Sequence, residues 1–144
     1  MSLVELLVVL VVLGVIAAIA VPRFAVAADR IALDAAASRL ANELSLVRDR
    51  AVRTETAALI ELDDVARAVL VKGVDRAGTS WSGGTIDLGG APYAIDAITM
   101  KLDGDTVMRI DASGLATARA TFTIWRGDHA RTIRFERTGA ARWY

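Results

Sequence analysis

Hydrophobic positions change their spacing twice along this chain. From Leu6 to Val21 they are nearly continuous, 16 residues without a charge, and Met1 to Val4 extend the run with one carboxylate, Glu5, between. As a helix, Met1 to Pro22 would be about 33 Å long, close to the ~30 Å of a bilayer's hydrocarbon core. Beyond Pro22 the apolar positions thin out. Ile31, Leu33, Leu40, Leu44, Val47 and Ala51 follow spacings near three and four, which predicts an amphipathic continuation to about Arg53 or Thr54. Arg39 with Glu43 and Asp49 with Arg53 are i,i+4 pairs that support its exposed face.

From Ala57 the period falls to two. Ala57–Leu62 and Ala66–Val71 read as strands around an Asp63-Asp64 turn, followed by Thr85–Leu88, Ile98–Leu102, Thr106–Asp111, Ala118–Trp125, Thr132–Glu136 and Ala140–Trp143. Asp103-Gly104-Asp105 and Thr138-Gly139 read as hairpin turns. The stretch from Gly73 to Pro92 holds six of the 11 glycines and reads as a long loop with at most one strand. The expected class is α+β. Residues 1–28 form an apolar helix, 29–54 its amphipathic continuation, and 55–144 an antiparallel β domain.

The apolar segment narrows the function. A secretory signal peptide carries a positive n-region, whereas no Lys or Arg precedes Arg23. A helix apolar on all sides needs a large domain to bury it, and about 115 residues remain for that, too few on the usual scaling. A plain membrane anchor explains the length but leaves Glu5, Gly14 and Pro22 without a role. An acid inside a membrane-grade helix ordinarily has a dedicated partner.

The run Ser2-Leu3-Val4-Glu5-Leu6-Leu7-Val8-Val9-Leu10, with Gly14 and Ala17-Ala18-Ile19-Ala20-Val21-Pro22 after it, resembles the N-terminus shared by type IV pilins and type II secretion pseudopilins. The later stretches Arg119–Ile124 and Thr132–Gly139, read as a hairpin, resemble the pseudopilin H group in particular. The resemblance implies a pilin-like fold, a long helix packed through its C-terminal half on an antiparallel sheet. It implies a processed subunit with Met1 as the N-methylated residue. It also implies a Met1 ammonium–Glu5 carboxylate pair that sets register, and compliance between Gly14 and Pro22, where Pro removes a backbone donor and Gly lowers helix propensity. The partners implied are copies of this chain or other pilins and pseudopilins, a prepilin peptidase and an assembly platform. The expected location is the bacterial inner membrane, crossed once, before assembly, and an extracellular or periplasmic filament afterwards.

Composition changes the picture little. Seventeen Lys and Arg balance 17 Asp and Glu, so no global field draws polyanions. With no cysteine and one histidine, neither a thiolate nor a multi-histidine metal site is expected, and no nucleophile–base–acid set stands out, so no enzyme and no cofactor are expected. His129 lies in Trp125–Arg131, a turn-like segment. Asp103 and Asp105 with Asp111, or Asp63 and Asp64 with Asp75, supply oxygens of the kind calcium takes, but acids beside glycine also describe ordinary turns, and no metal is assigned. The alternative function is DNA binding by a minor pilin through the arginine-rich end, with Arg134, Arg137 and Arg142 on phosphates. Against it, those arginines could simply occupy the exposed face of edge strands and discourage aggregation.

Overall fold

The computed structural model describes residues 2–73, 84–103 and 107–144. One helix, α1, runs from Leu3 to Thr54. It begins at Ser2, whose hydroxyl accepts the Val4 N–H. It ends at Glu55, a left-handed residue (φ 52°) whose N–H donates to the carbonyls of Ala51 and Val52. The helix is unbroken through Gly14 and Pro22.

Among the described residues eight strands follow: β1 (Ala58–Asp63), β2 (Ala68–Lys72), β3 (Thr85–Asp87), β4 (Ala97–Leu102), β5 (Met108–Ile110), β6 (Ala120–Arg126), β7 (His129–Phe135) and β8 (Ala141–Trp143). They form two four-stranded antiparallel sheets rather than one. Sheet A has the order β3-β2-β1-β5 and sheet B the order β4-β6-β7-β8. The Asp63-Asp64 turn joins β1 to β2, and the Thr138-Gly139 turn joins β7 to β8, both as expected. β4 and β5, the strands on either side of Asp103-Gly104-Asp105, do not pair with each other. β4 pairs with β6 and β5 with β1, so the chain changes sheets between them. The reason is partner length. β6 offers Ala120, Phe122 and Ile124 to match Leu102, Met100 and Ile98 of β4, whereas β5 has three residues. Residues 104–106 of that turn, and Asp75 in the glycine-rich stretch, lie outside the described residues. Trp125–Arg131 does hold a turn, at Gly127-Asp128, between the end of β6 and the start of β7, and His129 is the first residue of β7.

The core lies between the second half of α1 and both sheets. Leu33, Ala36, Ala37, Leu40, Ala41, Leu44, Val47 and Ala51 are buried along one helix face. The alanines bring the backbone close to the sheets, and Phe122, Phe135, Ile60, Ile86 and Met108 fill the space opposite. Ile31, expected in this set, is 70% exposed. It lies two residues before Leu33, about 200° round the helix at 3.6 residues per turn.

Candidate assembly helix and cationic sheet face

The first half of α1 has no partner among the described residues. Its most apolar window is long and apolar enough to cross a membrane, and none of that window is buried. Leu3, Leu7, Leu10, Leu13, Ile16 and Ile19, on all sides of the helix, are each more than half exposed. Gly14 faces open space. Glu5 has a role the sequence already carried. Ser2-Leu3-Val4-Glu5 is a capping box: while Ser2 Oγ accepts the Val4 N–H at 3.3 Å, the Ser2 N–H donates to Glu5 Oε2 at 3.4 Å. The S-x-x-E spacing before an apolar run is its signal. Met1 lies outside the described residues, and with it the expected Met1–Glu5 pair.

Where the apolar segment ends, three side chains of α1 grip the β6–β7 hairpin. Asp29 Oδ1 accepts from Arg126 Nε at 2.8 Å, Arg30 Nε donates to His129 Nε2 at 3.3 Å, and Asp34 Oδ1 accepts from Arg131 Nε at 2.6 Å. Arg126 also donates through Nη1 to the carbonyls of Tyr93 and Ala94. Asp96 accepts the Gly127 N–H at 2.6 Å, and Arg39 lies over the Tyr93 ring, 5.1 Å from its centroid. Arg126 and Arg131 therefore belong to a clamp between helix and sheet, not to an exposed basic end. The expected i,i+4 contacts are partly replaced: Arg53 Nε donates to the Asp49 carbonyl at 3.4 Å, and Arg48 lies 3.8 Å from the Asp49 carboxylate.

The three arginines of the DNA alternative are separated by the fold. Arg134 on β7 and Arg142 on β8 are direct cross-strand partners. Arg137 lies in the turn after β7, lining a different depression with Asp111 and Thr117. Of β7 and β8, only β8 lies at an edge of sheet B, so edge protection does not account for Arg134. The register adds a cation missed in the sequence: Lys101 of β4 lies opposite Thr121 of β6, which lies opposite Arg134. Asp111 is a turn residue. Its Oδ1 accepts from Ser113 Oγ, Ser113 N and Leu115 N, which holds its carboxyl below the usual 3.8. Asp63 Oδ1 likewise accepts the Ala66 N–H within its own turn.

No family model matches the chain, and no curated protein is similar to it in sequence. Solved structures are. The type IV minor pilin FimU of Pseudomonas aeruginosa superposes with a TM-score of 0.56 at 22% identity, over 80% of this chain and 90% of that one. The minor pseudopilin EpsH of the Vibrio cholerae type 2 secretion system superposes at 0.58 with 15% identity, over 78% and 95%. A second EpsH structure gives 0.59 at 12% identity, over 78% and 92%. Over the covered four fifths of this chain, a helix packed on antiparallel sheets is thus the architecture these proteins share with it: its fold is that of the type IV pilins and type II secretion pseudopilins, of the FimU- and EpsH-like kind.

Proposed function

We propose that this chain is a structural subunit of a type IV filament, a type IV pilus or a type II secretion pseudopilus, and that it polymerises through α1. The observation that carries the reading is the bare apolar half of α1 joined to a pilin-fold head. Exposed apolar surface of that extent needs a membrane or other helices to cover it. The division of labour follows: residues 1–28 serve as membrane span and then filament core, 29–54 connect, and 55–144 form the outer surface. Before assembly the helix crosses the inner membrane once. A prepilin peptidase and a membrane platform act on the chain, and Met1 carries the N-methyl group.

Glu5 has two consecutive tasks in this reading. In the lone subunit its carboxylate closes the capping box. In the filament it meets the ammonium of Met1, its own or a neighbour's, where low dielectric makes the attraction strong and an unpaired charge costly. A uniform Val/Leu surface slides, and a charge pair fixes one axial position. Gly14 and Pro22 supply compliance when neighbours pack.

The test is Glu5→Ala in cells that assemble the filament, read by mass spectrometry of sheared filaments and of the envelope. The variant is expected in the membrane fraction at normal abundance and depleted at least tenfold from filaments, while the wild-type N-terminal peptide begins at N-methylated Met1. Equal incorporation of the variant would remove the register role of Glu5. An unprocessed wild-type N-terminus would remove the filament reading.

A further inference from the structure

A histidine closes one rung of the joint between α1 and the head, and its donor fixes its charge. Arg30 Nε donates to His129 Nε2 at 3.3 Å. A guanidinium stays charged and carries donors only. His129 Nε2 must therefore present a lone pair, which leaves the ring neutral with its proton on Nδ1. A protonated imidazole carries N–H on both nitrogens, so it cannot take that bond.

The surroundings decide what protonation does. On β6, Arg126 is the cross-strand partner of His129, and like charges directly opposite are destabilising. On β7, Arg131 stands two residues on, on the same side of the strand. On α1, Asp29 and Asp34 flank Arg30, but both are engaged, Asp29 by Arg126 at 2.8 Å and Asp34 by Arg131 at 2.6 Å. In the segment before β4, Asp96 accepts the Gly127 N–H and the Tyr93 carbonyl accepts from Arg126. Asp128, exposed in the turn beside His129, is in none of these contacts. An imidazolium at 129 would thus meet Arg30, Arg126 and Arg131, and its nearest unengaged carboxylate along the chain is Asp128. Arg30 has Asp34 one helical turn on, at i+4. Protonation offers both partners other contacts and opens the rung.

The rung matters because of where it lies. On α1, Arg30 and Asp34 are about 40° apart, and Asp29 is about 100° from Arg30 on the other side. The hairpin is held on its β6 side by Asp29–Arg126 and on its β7 side by two rungs, Arg30–His129 and Asp34–Arg131. Opening the first of those two leaves the β7 side on one half-exposed pair. The bare apolar half of α1 projects from this joint, so the rung stiffens its base.

We propose that His129 is a proton-operated latch between α1 and the head. Neutral, it closes the Arg30 rung and stiffens the joint; protonated, it releases Arg30 and loosens the β7 side. The latch belongs to the folded subunit and does not depend on how α1 assembles.

The test uses the full-length, untagged chain in non-ionic detergent micelles at about pH 8 and about pH 5, a range over which imidazoles exchange their charge and carboxylates ordinarily do not. The neutral ring makes the contact, so the contribution is present at the upper pH and lost as pH falls through the imidazole range. His129 is the chain's one histidine, so its ring nitrogen NMR signals stand alone. At the upper pH they are expected to show Nε2 bare and Nδ1 protonated, and Arg30→Met should shift the ring toward the Nε2–H form. Between the two pH values wild type is expected to lose about 3 °C of Tm more than His129→Gln, whose amide oxygen accepts from Arg30 at either pH. His129→Lys should show the lower Tm at both. Ile16 on the bare helix and Val65 on the head are exposed, and the chain has no cysteine of its own, so nitroxides at Ile16→Cys and Val65→Cys report the joint. Their distance distribution should broaden at the lower pH with His129 present and stay narrow with His129→Gln. An Nε2–H ring at the upper pH, an equal pH dependence of Tm in wild type and His129→Gln, or distances indifferent to pH would overturn the proposal. Should His129→Gln not fold, Arg30→Met carries the same comparison, since it removes the donor and with it the pH dependence. No filament enters these readouts, so failure here leaves the filament reading standing, and failure there leaves this one.

Discussion

Two glycines show how differently the same residue serves the two halves of the molecule. Gly139, in the β7–β8 turn, has φ +81°, and a Cβ there would lie 2.3 Å from Arg48 Cδ and 2.7 Å from the Gly114 carbonyl oxygen. The Arg48 stem passes directly over the turn, its Nε enclosed without a hydrogen-bond partner, so packing rather than polarity holds it there. Gly139→Ala therefore combines a left-handed backbone that alanine disfavours with a backbone contact that cannot swing away. The expected loss is about 2 kcal/mol, near 10 °C in the Tm of a head of this size, measured by thermal melts of the full chain in detergent. Gly14 is in open space, and Gly14→Ala should leave that Tm unchanged while adding up to about 1 kcal/mol of local helix propensity. At Asp111 the sign of the pH effect follows from its hydrogen bonds, Ser113 Oγ foremost, then the Leu115 N–H. A carboxyl held below its usual 3.8 stabilises the turn above that pH, and the contribution fades as pH falls through the lowered native value. A carboxyl NMR titration should place Asp111 below an ordinary aspartate, and Asp111→Asn should flatten the corresponding part of the acid limb of the stability curve.

Among elements, the joint between α1 and the β6–β7 hairpin decides how the head sits on the stalk. Arg126 is the centre of it, with one carboxylate and two carbonyls as acceptors. Arg126→Ala strands those partly buried acceptors, and the expected cost is about 2 kcal/mol. The Asp34–Arg131 pair is half-exposed, at 41% and 28%, so a double-mutant cycle with Asp34→Asn and Arg131→Gln should return a coupling of only about 0.5–1 kcal/mol. Hydrogen exchange should then quicken first at residues 93–96 in Arg126→Ala, because Arg126 ties that segment to the hairpin. The joint was invisible in the sequence, where Asp29 and Asp34 stand 97 residues from their partners. The elements themselves were readable. Helix periodicity, a change of period at Ala57 and turn residues at Asp63-Asp64 and Thr138-Gly139 locate α1 and most strands to within a few residues. Alternation tells which face of a strand is buried but not which strand lies beside it. That is why the division into two sheets, and the alignment of Lys101 with Arg134, emerge only from the pairing register.

At the scale of the whole molecule, the surface of α1 left over by the head carries its own pattern. Phe24, Ile31 and Leu46 are 74%, 70% and 49% exposed, and Ala35 and Asn42 are exposed between them. The intervals from 24 through 31, 35 and 42 to 46 alternate seven and four, so the five residues lie along one side of the helix. That side continues the bare apolar half toward the head, past the point where a bilayer would cover it. A lone folded subunit gains nothing from Ile31, which touches no part of the core. Substituting it should therefore separate folding from assembly. Ile31→Asp is expected to leave the Tm of the purified chain within about 0.5 kcal/mol of wild type, as for surface positions generally, and to leave membrane insertion unchanged. Inside a filament the same change would put an unpaired carboxylate against a neighbouring helix, at a cost of several kcal/mol, and incorporation should fall severely. Phe24→Asp should behave alike. Normal incorporation of both variants would mean that this side of α1 faces solvent in the assembled filament and that helix–helix packing ends at about residue 22, whereas loss of Tm in either would place the residue in the head's own packing.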